Sequence, residues 1–141
     1  MGALEFGGLP PGALLAIDSA PIIYVVERHP QIGARFQPLF EAQDAGRFRF
    51  AVSVVTISEV LMAPMRAGDE TLTQRYRAMF DTWQVVDVDR RLCETAARLR
   101  ASYRLKLADA IVAASALATN AAALVTYDRD FSRVSSLRVI S

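Results

Sequence analysis

Apolar positions along this chain fall into two kinds of run, and the two kinds alternate. "ALLAI" at 13–17, "RFRFAVSVV" at 47–55, "QVVDV" at 84–88 and "AALVTY" at 122–127 are short and mostly apolar. That is the pattern of strands covered on both faces, and "LRVIS" at 137–141 offers a fifth. The segments between them carry helix punctuation. "SAPIIYVVERH" at 19–29 has Pro21 in its first turn, where a missing N–H does no harm, and stops before Pro30. "QIGARFQPLFEAQDAG" at 31–46 ends on Gly46, and "TISEVLMAPMRAG" at 56–68 closes through Pro64 and Gly68. "DETLTQRYRAMFDTW" at 69–83 opens on acids, and "DRRLCETAARLRASYRL" at 89–105 opens at Asp89. "LADAIVAASALATNA" at 107–121 is rich in alanine, which allows close packing on a sheet.

Strands alternating with helices predict an α/β fold: a central parallel sheet of four to five strands with helices on both faces. Right-handed crossovers then bring every strand's C-terminal end to one edge, outside which ligands bind in such sheets. At 141 residues the chain reads as one domain over 13–141, preceded by a flexible lead-in over 1–12 that contains "GGLPPG".

Composition narrows the function class. Hydrophobic residues make up 52% of the chain, which points to a face covered by a partner. No apolar run approaches the about 20 residues that span a bilayer, so no membrane role is expected. The first twenty residues hold no Lys or Arg and make a poor secretory signal, and the single Cys93 excludes an internal disulfide. A cytoplasmic location is therefore expected. The net charge of +1 announces no global basic field, although every basic residue except Lys106 is arginine.

The acids carry more information. Asp18 follows the first strand, and Asp128 and Asp130 follow the fourth. Glu59 and Asp109 sit in the first turns of predicted helices. All these positions share one sheet edge, where like charges raise one another's pKa unless a cation intervenes. Carboxylates and water are the ligands that Mg²⁺ and Mn²⁺ prefer. Each acid also has a structural explanation. Asp18 and Asp128 suit caps or turns, "TISE" reads as a capping box from Thr56 to Glu59, and Asp109 complements a helix dipole. Asp87 and Asp89 also follow a strand, but Asp89 opens a helix and both read as structural.

Four stretches, "AIDSAPIIYVVE", "VSVVTISEVL", "RLKLADAIVAASAL" and "LVTYDRDF", occur in the order and spacing of PIN-domain ribonucleases, and the chain most resembles VapC-type toxins of toxin–antitoxin pairs. The resemblance spans about residues 13 to 140. It implies a three-layer PIN-like fold and an endoribonuclease whose acidic quartet holds Mg²⁺ or Mn²⁺. Carried over by motif, the quartet is Asp18, Glu59, Asp109 and Asp128, with Asp130 as a helper or a solvated acid. Ser19 matches a small hydroxyl residue beside the first acid, and Thr56 a hydroxyl before the second. The resemblance further implies an RNA substrate, a homodimer and an antitoxin segment laid in a groove. Ala20 and Ala108 depart from the family's usual residues at those positions, without removing an acid.

Of the remaining residues, Arg104 and Lys106 precede Asp109 and could reach an RNA phosphate, or form a solvated helix end. Trp83 and Tyr76 could stack on a base but suit a core better. His29 reads as a cap and Cys93 as core. Two rival readings are a receiver-like phosphoacceptor domain and a PIN-fold binding module that does not cut. The receiver chemistry wants a lysine at the end of a late strand, whereas Lys106 precedes a helix.

Overall fold

Leu14–Ile17 (β1) has no exposed residue, so it must lie at the centre of a sheet with layers on both sides. The computed structural model, which describes residues 4–141, places it there. In chain order the other elements are α1 (Ser19–Val26), α2 (Ile32–Asp44), β2 (Arg49–Ser53), α3 (Val54–Ala67), α4 (Glu70–Asp81) and β3 (Gln84–Val86). They continue with α5 (Arg90–Tyr103), α6 (Leu107–Ala118), β4 (Ala123–Val125), a 3-10 turn over Arg129–Arg133, and β5 (Val139–Ile140). The sheet runs β3-β2-β1-β4-β5, and every pairing is parallel.

Side-chain alternation along the strands divides the core in two. Leu15, Ile17, Phe50, Val52, Ala123 and Val125 join the core under α1–α4, while Ala16 and Leu124 face the alanine-rich α6 and its neighbour α5. Helices thus cover both faces, in the three layers that the alternation predicts. On the first face Phe50 meets Phe40 at 5.1 Å and Trp83 at 5.2 Å between ring centroids, both edge to face. Tyr76 is fully buried and donates its hydroxyl to Glu27. Trp83 and Tyr76 are therefore core residues, unavailable to a base.

The structure corrects several sequence expectations. Residues 4–12, within the expected lead-in, make contacts with the domain: Leu9 is buried, Phe6 packs edge to face on Phe48, and the Gly12 N–H donates to the Arg47 carbonyl. Residues 1–3 of the expected lead-in lie outside the described residues. The second strand ends at Ser53, because the Ser53 hydroxyl accepts the Val55 N–H and starts α3 there, taking Val54 and Val55 into the helix. Helix α1 stops at Val26, before Pro30, with Arg28 in the left-handed region. His29 does cap, but it caps the following helix: its Nδ1 accepts the N–H groups of Ile32 and Gln31. Cys93 is exposed on α5 instead of lying in the core, since Leu92, Ala96 and Leu99 form that helix's buried stripe.

One glycine is required by packing. A Cβ on Gly33 of α2 would lie 2.4 Å from the Tyr24 carbonyl oxygen of α1, and backbone atoms there have little room to retreat. In an open helix Gly→Ala is worth about 1 kcal/mol in favour of alanine. Here the sign reverses. Gly33→Ala is expected to destabilise the fold by about 1–3 kcal/mol, the usual range for overpacking, read as a lowered urea midpoint with an unchanged slope.

Candidate active site

The sheet order reverses direction at β1, with β2 on one side and β4 on the other, so the chain leaves a crevice outside the ends of β1 and β4. Asp18 stands at its floor as the first residue past β1, its N–H continuing the ladder to the Val125 carbonyl at 2.9 Å. The residue is only 7% exposed. A buried carboxylate needs donors, and both oxygens have one. Oδ1 accepts the Ser19 N–H at 2.8 Å, and Oδ2 accepts the Thr126 hydroxyl at 2.8 Å.

Thr126 links the two strand ends. Its fully buried hydroxyl donates to Asp18 and accepts the Asp128 N–H at 3.0 Å. Asp128 in turn accepts the Asp130 N–H on Oδ1 at 2.9 Å, which caps the 3-10 turn. Asp130 is anchored from behind by Arg133, whose Nη2 donates to Oδ1 at 3.0 Å. Asp109 arrives from the first turn of α6, which packs against β1 and β4. One oxygen from each of Asp109, Asp128 and Asp130 lies within 4.8 Å of the others. Asp18 and Glu59 stand around this trio, near enough for their charges to be felt.

Burial is the main cause of a raised Asp109 pKa, followed by the charges of Asp128, Asp18 and Asp130. Together they push it from 3.8 to about 6, against a lowering pull from Lys106. Glu59 is also raised, first by burial and then by Asp18 and Asp109. Asp18 is raised by burial, and its bonds from Thr126 and Ser19 oppose that shift. Asp109 thus feels the charges of Asp128, Asp18 and Asp130, and Glu59 those of Asp18 and Asp109.

This has a measurable consequence for the ion-free protein. Below 3.8 Asp109 is protonated whether folded or unfolded and contributes nothing. As pH rises from there towards about 6, the folded chain holds a proton that the unfolded chain has lost, so stability falls. Asp109→Asn removes that penalty. In EDTA at pH 7 the variant is expected to melt above the parent protein, and at pH 3.5 to match it, by calorimetry.

Asp18 and Asp128 both cap local backbone; Asp128 also belongs to the trio, whereas Asp18 stands outside it and reaches Asp109 through its charge. The capping box does not form: Ser53 is the cap, Glu59 lies a turn further along α3, and the buried Thr56 hydroxyl has no hydrogen-bond partner. Ser19 meets Asp18 through its backbone N–H. Asp130, expected to be a helper or a solvated acid, stands inside the tight trio. The signal for it was the i, i+2 spacing after a buried strand, which lets one tight turn turn both carboxylates the same way. Arg104 caps the end of α5 with a left-handed backbone and Lys106 sits at the start of α6, both exposed. Asp87 is exposed, and Asp89 caps α5 by accepting the Leu92 N–H at 2.8 Å.

The model of the PIN domain family matches residues 15–137. The chain belongs to the PIN domain family. Among solved structures this PIN domain resembles VapBC2 from Rickettsia felis, bound to a DNA fragment from its promoter, with 19% identity, a TM-score of 0.70, and 89% of this chain and 96% of that one covered. It likewise resembles a toxin–antitoxin complex from Klebsiella pneumoniae (23% identity, TM-score 0.70, 90% and 96% covered). A third is VapC20 from Mycobacterium tuberculosis, a sarcin-ricin-loop-cleaving toxin (14% identity, TM-score 0.71, 86% and 95% covered). No curated protein matches the chain at a significant level. The receiver-like alternative falls on the same ground. A receiver sheet runs 2-1-3-4-5, whereas this PIN domain runs 3-2-1-4-5. No helix among the described residues is long and apolar enough to cross a membrane.

Proposed function

We propose that this PIN domain is a divalent-metal-dependent endoribonuclease, the toxin of a toxin–antitoxin pair. The observation that carries the reading is the convergence of Asp109, Asp128 and Asp130 within 4.8 Å, with Asp18 and Glu59 in electrostatic contact. Distant parts of the chain supply these acids, and no hydrogen bond among their side chains offsets the repulsion. A cluster that repels itself and offers only hard carboxylate oxygens fits Mg²⁺ or Mn²⁺.

In this reading Asp109, Asp128 and Asp130 hold the ion, and Asp18 and Glu59 complete the ring of negative charge. A bound divalent ion supplies an activated water at neutral pH and offsets charge on the phosphate under attack. The residues' own contribution is placement. Thr126 and the Ser19 N–H fix the Asp18 carboxylate, the Asp130 N–H fixes Asp128, and Arg133 fixes Asp130. Burial of Asp18 excludes water from one side of the cluster. Neither His29, engaged in a cap, nor Cys93, on α5, takes part.

A homodimer and an antitoxin segment complete the proposal. The named likenesses include two toxin–antitoxin assemblies, and Met62 and Met65 stand about half exposed on α3, apolar surface that a partner would cover. Arg104 and Lys106, both exposed and just before Asp109 in the chain, suit RNA phosphates.

The test is incubation of the purified protein with structured RNA and Mn²⁺, repeated with EDTA and with Asp18→Asn. Cleavage lost in both controls supports the proposal. Cleavage that survives both defeats the metal mechanism, and RNA left intact by the parent protein favours a non-cutting PIN-fold binding module.

A further inference from the structure

Beside the carboxylate cluster lies a cavity of about 740 Å³, a size typical of ligand pockets. Its chemistry is opposite to that of its neighbour. Ala20, Arg35, Tyr127, Asp128, Arg129 and Ser141 line it, so two guanidiniums adjoin a wall shared with the acidic site. Arg35, half-buried on α2, donates from Nη2 to the Ser141 carbonyl, which holds its guanidinium at the cavity wall. Arg129 is exposed and takes part in no ion pair among the described residues.

Tyr127 is the unusual member. It lies between Thr126 and Asp128, both committed to the acidic site, and yet is 41% exposed. Tyr24 at 6.0 Å and Phe36 at 6.3 Å meet it at steep angles, 85° and 83° between ring planes. Two edge-to-face neighbours hold the ring in place, while part of its surface stays open to solvent. A fixed, solvated aromatic that shares a cavity with two arginines suits a base and its neighbouring phosphates.

We propose that this cavity binds the single-stranded RNA segment adjoining the phosphate to be cut, with Arg35 and Arg129 on backbone phosphates and Tyr127 stacked on one base. The proposal rests on the ribonuclease reading. Asp128 lines the cavity and belongs to the carboxylate trio, so whatever fills the cavity is continuous with the reacting group. An anionic, base-bearing strand matches both the charge and the ring.

The experiment measures binding of a fluorescein-labelled, mixed-sequence 12-nucleotide RNA by anisotropy, with Ca²⁺ supplied and the RNA checked intact on a gel. Arg129→Gln and Arg35→Gln are each expected to weaken binding severalfold and to reduce the slope of log K against log salt by about 0.7, one phosphate contact apiece. Tyr127→Ala is expected to weaken it about 10-fold, the effect of losing one stacked base, while Tyr127→Phe keeps it. Arg129 is exposed, so its variant reads the site even if Arg35→Gln lowers stability. Parent-like RNA affinity and salt slope in the Arg129 and Tyr127 variants, with cleavage by the parent protein intact, would overturn the subsite and leave the nuclease reading standing. A parent protein that neither binds nor cuts RNA overturns both. Unchanged RNA affinity with loss of binding to a decaglutamate peptide would assign the cavity to a peptide and overturn the proposal.

Discussion

Asp128→Asn is expected to lower RNA cleavage by about two to three orders of magnitude, the usual cost of removing one fixed charge-stabilising group from a reacting centre. Asparagine keeps the size of the side chain and an oxygen able to cap Asp130, so the turn and the fold persist. What it removes is a negative oxygen from a trio whose members stand within 4.8 Å. The neighbouring acid provides the contrast. Asp130 shares its Oδ1 with Arg133 and its side chain is 42% exposed, so part of its charge is already neutralised. Asp130→Asn should therefore cost less, roughly 10-fold. Single-turnover cleavage at saturating Mn²⁺ measures both. Equal losses would mean that the two acids act as equivalents, and an active Asp128→Asn would remove that residue from the reaction.

The second large effect is expected from a residue with no charge. Thr126→Val keeps the shape of the side chain and deletes both hydrogen bonds of the hydroxyl, the one donated to Asp18 and the one accepted from the Asp128 N–H. Leaving buried polar groups unmatched costs about 1–3 kcal/mol in stability. Loss of the contact that orients a ligand carboxylate typically lowers metal affinity or activity by about 10- to 100-fold. Thr126→Ser restores the hydroxyl and should recover most of both. The Mn²⁺ concentration for half-maximal cleavage separates a positioning role from a merely structural one. A positioning residue moves that midpoint, whereas a structural residue lowers the melting temperature alone.

The fold was legible because the strands are short, apolar and bounded by strong punctuation. β1, β2 and β4 are buried on both faces, and nothing but a central parallel strand accounts for "ALLAI" or "ALV". The edge was less clear. Gln84 and Val85 of β3 are exposed, so its apolar pattern reflects an edge strand with one buried neighbour instead of a double-faced one. Local chemistry misled at α3, where a capping box at Thr56 was plausible but Ser53, three residues earlier, met a free N–H first. Within the site, the acids could be assigned to one sheet edge from the sequence. The distances among them could not, because they depend on how far each helix start reaches over the strand ends. That is why the place of Asp130 inside the trio, and its anchor Arg133, emerged only in three dimensions. The cavity beside Asp128 was hidden for the same reason, since Arg35 and Arg129 lie 94 positions apart.

The central claim is that Asp109, Asp128 and Asp130, ringed by the charges of Asp18 and Glu59, bind a divalent ion together. Isothermal titration of Mn²⁺ into the ion-free protein at pH 7, repeated with Asp109→Asn, tests it most directly. Saturable binding by the parent protein, with a matching rise in melting temperature, and its loss in the variant is the expected result. A parent protein that takes up no Mn²⁺ at millimolar concentration, or a variant that binds it just as well, would contradict the account.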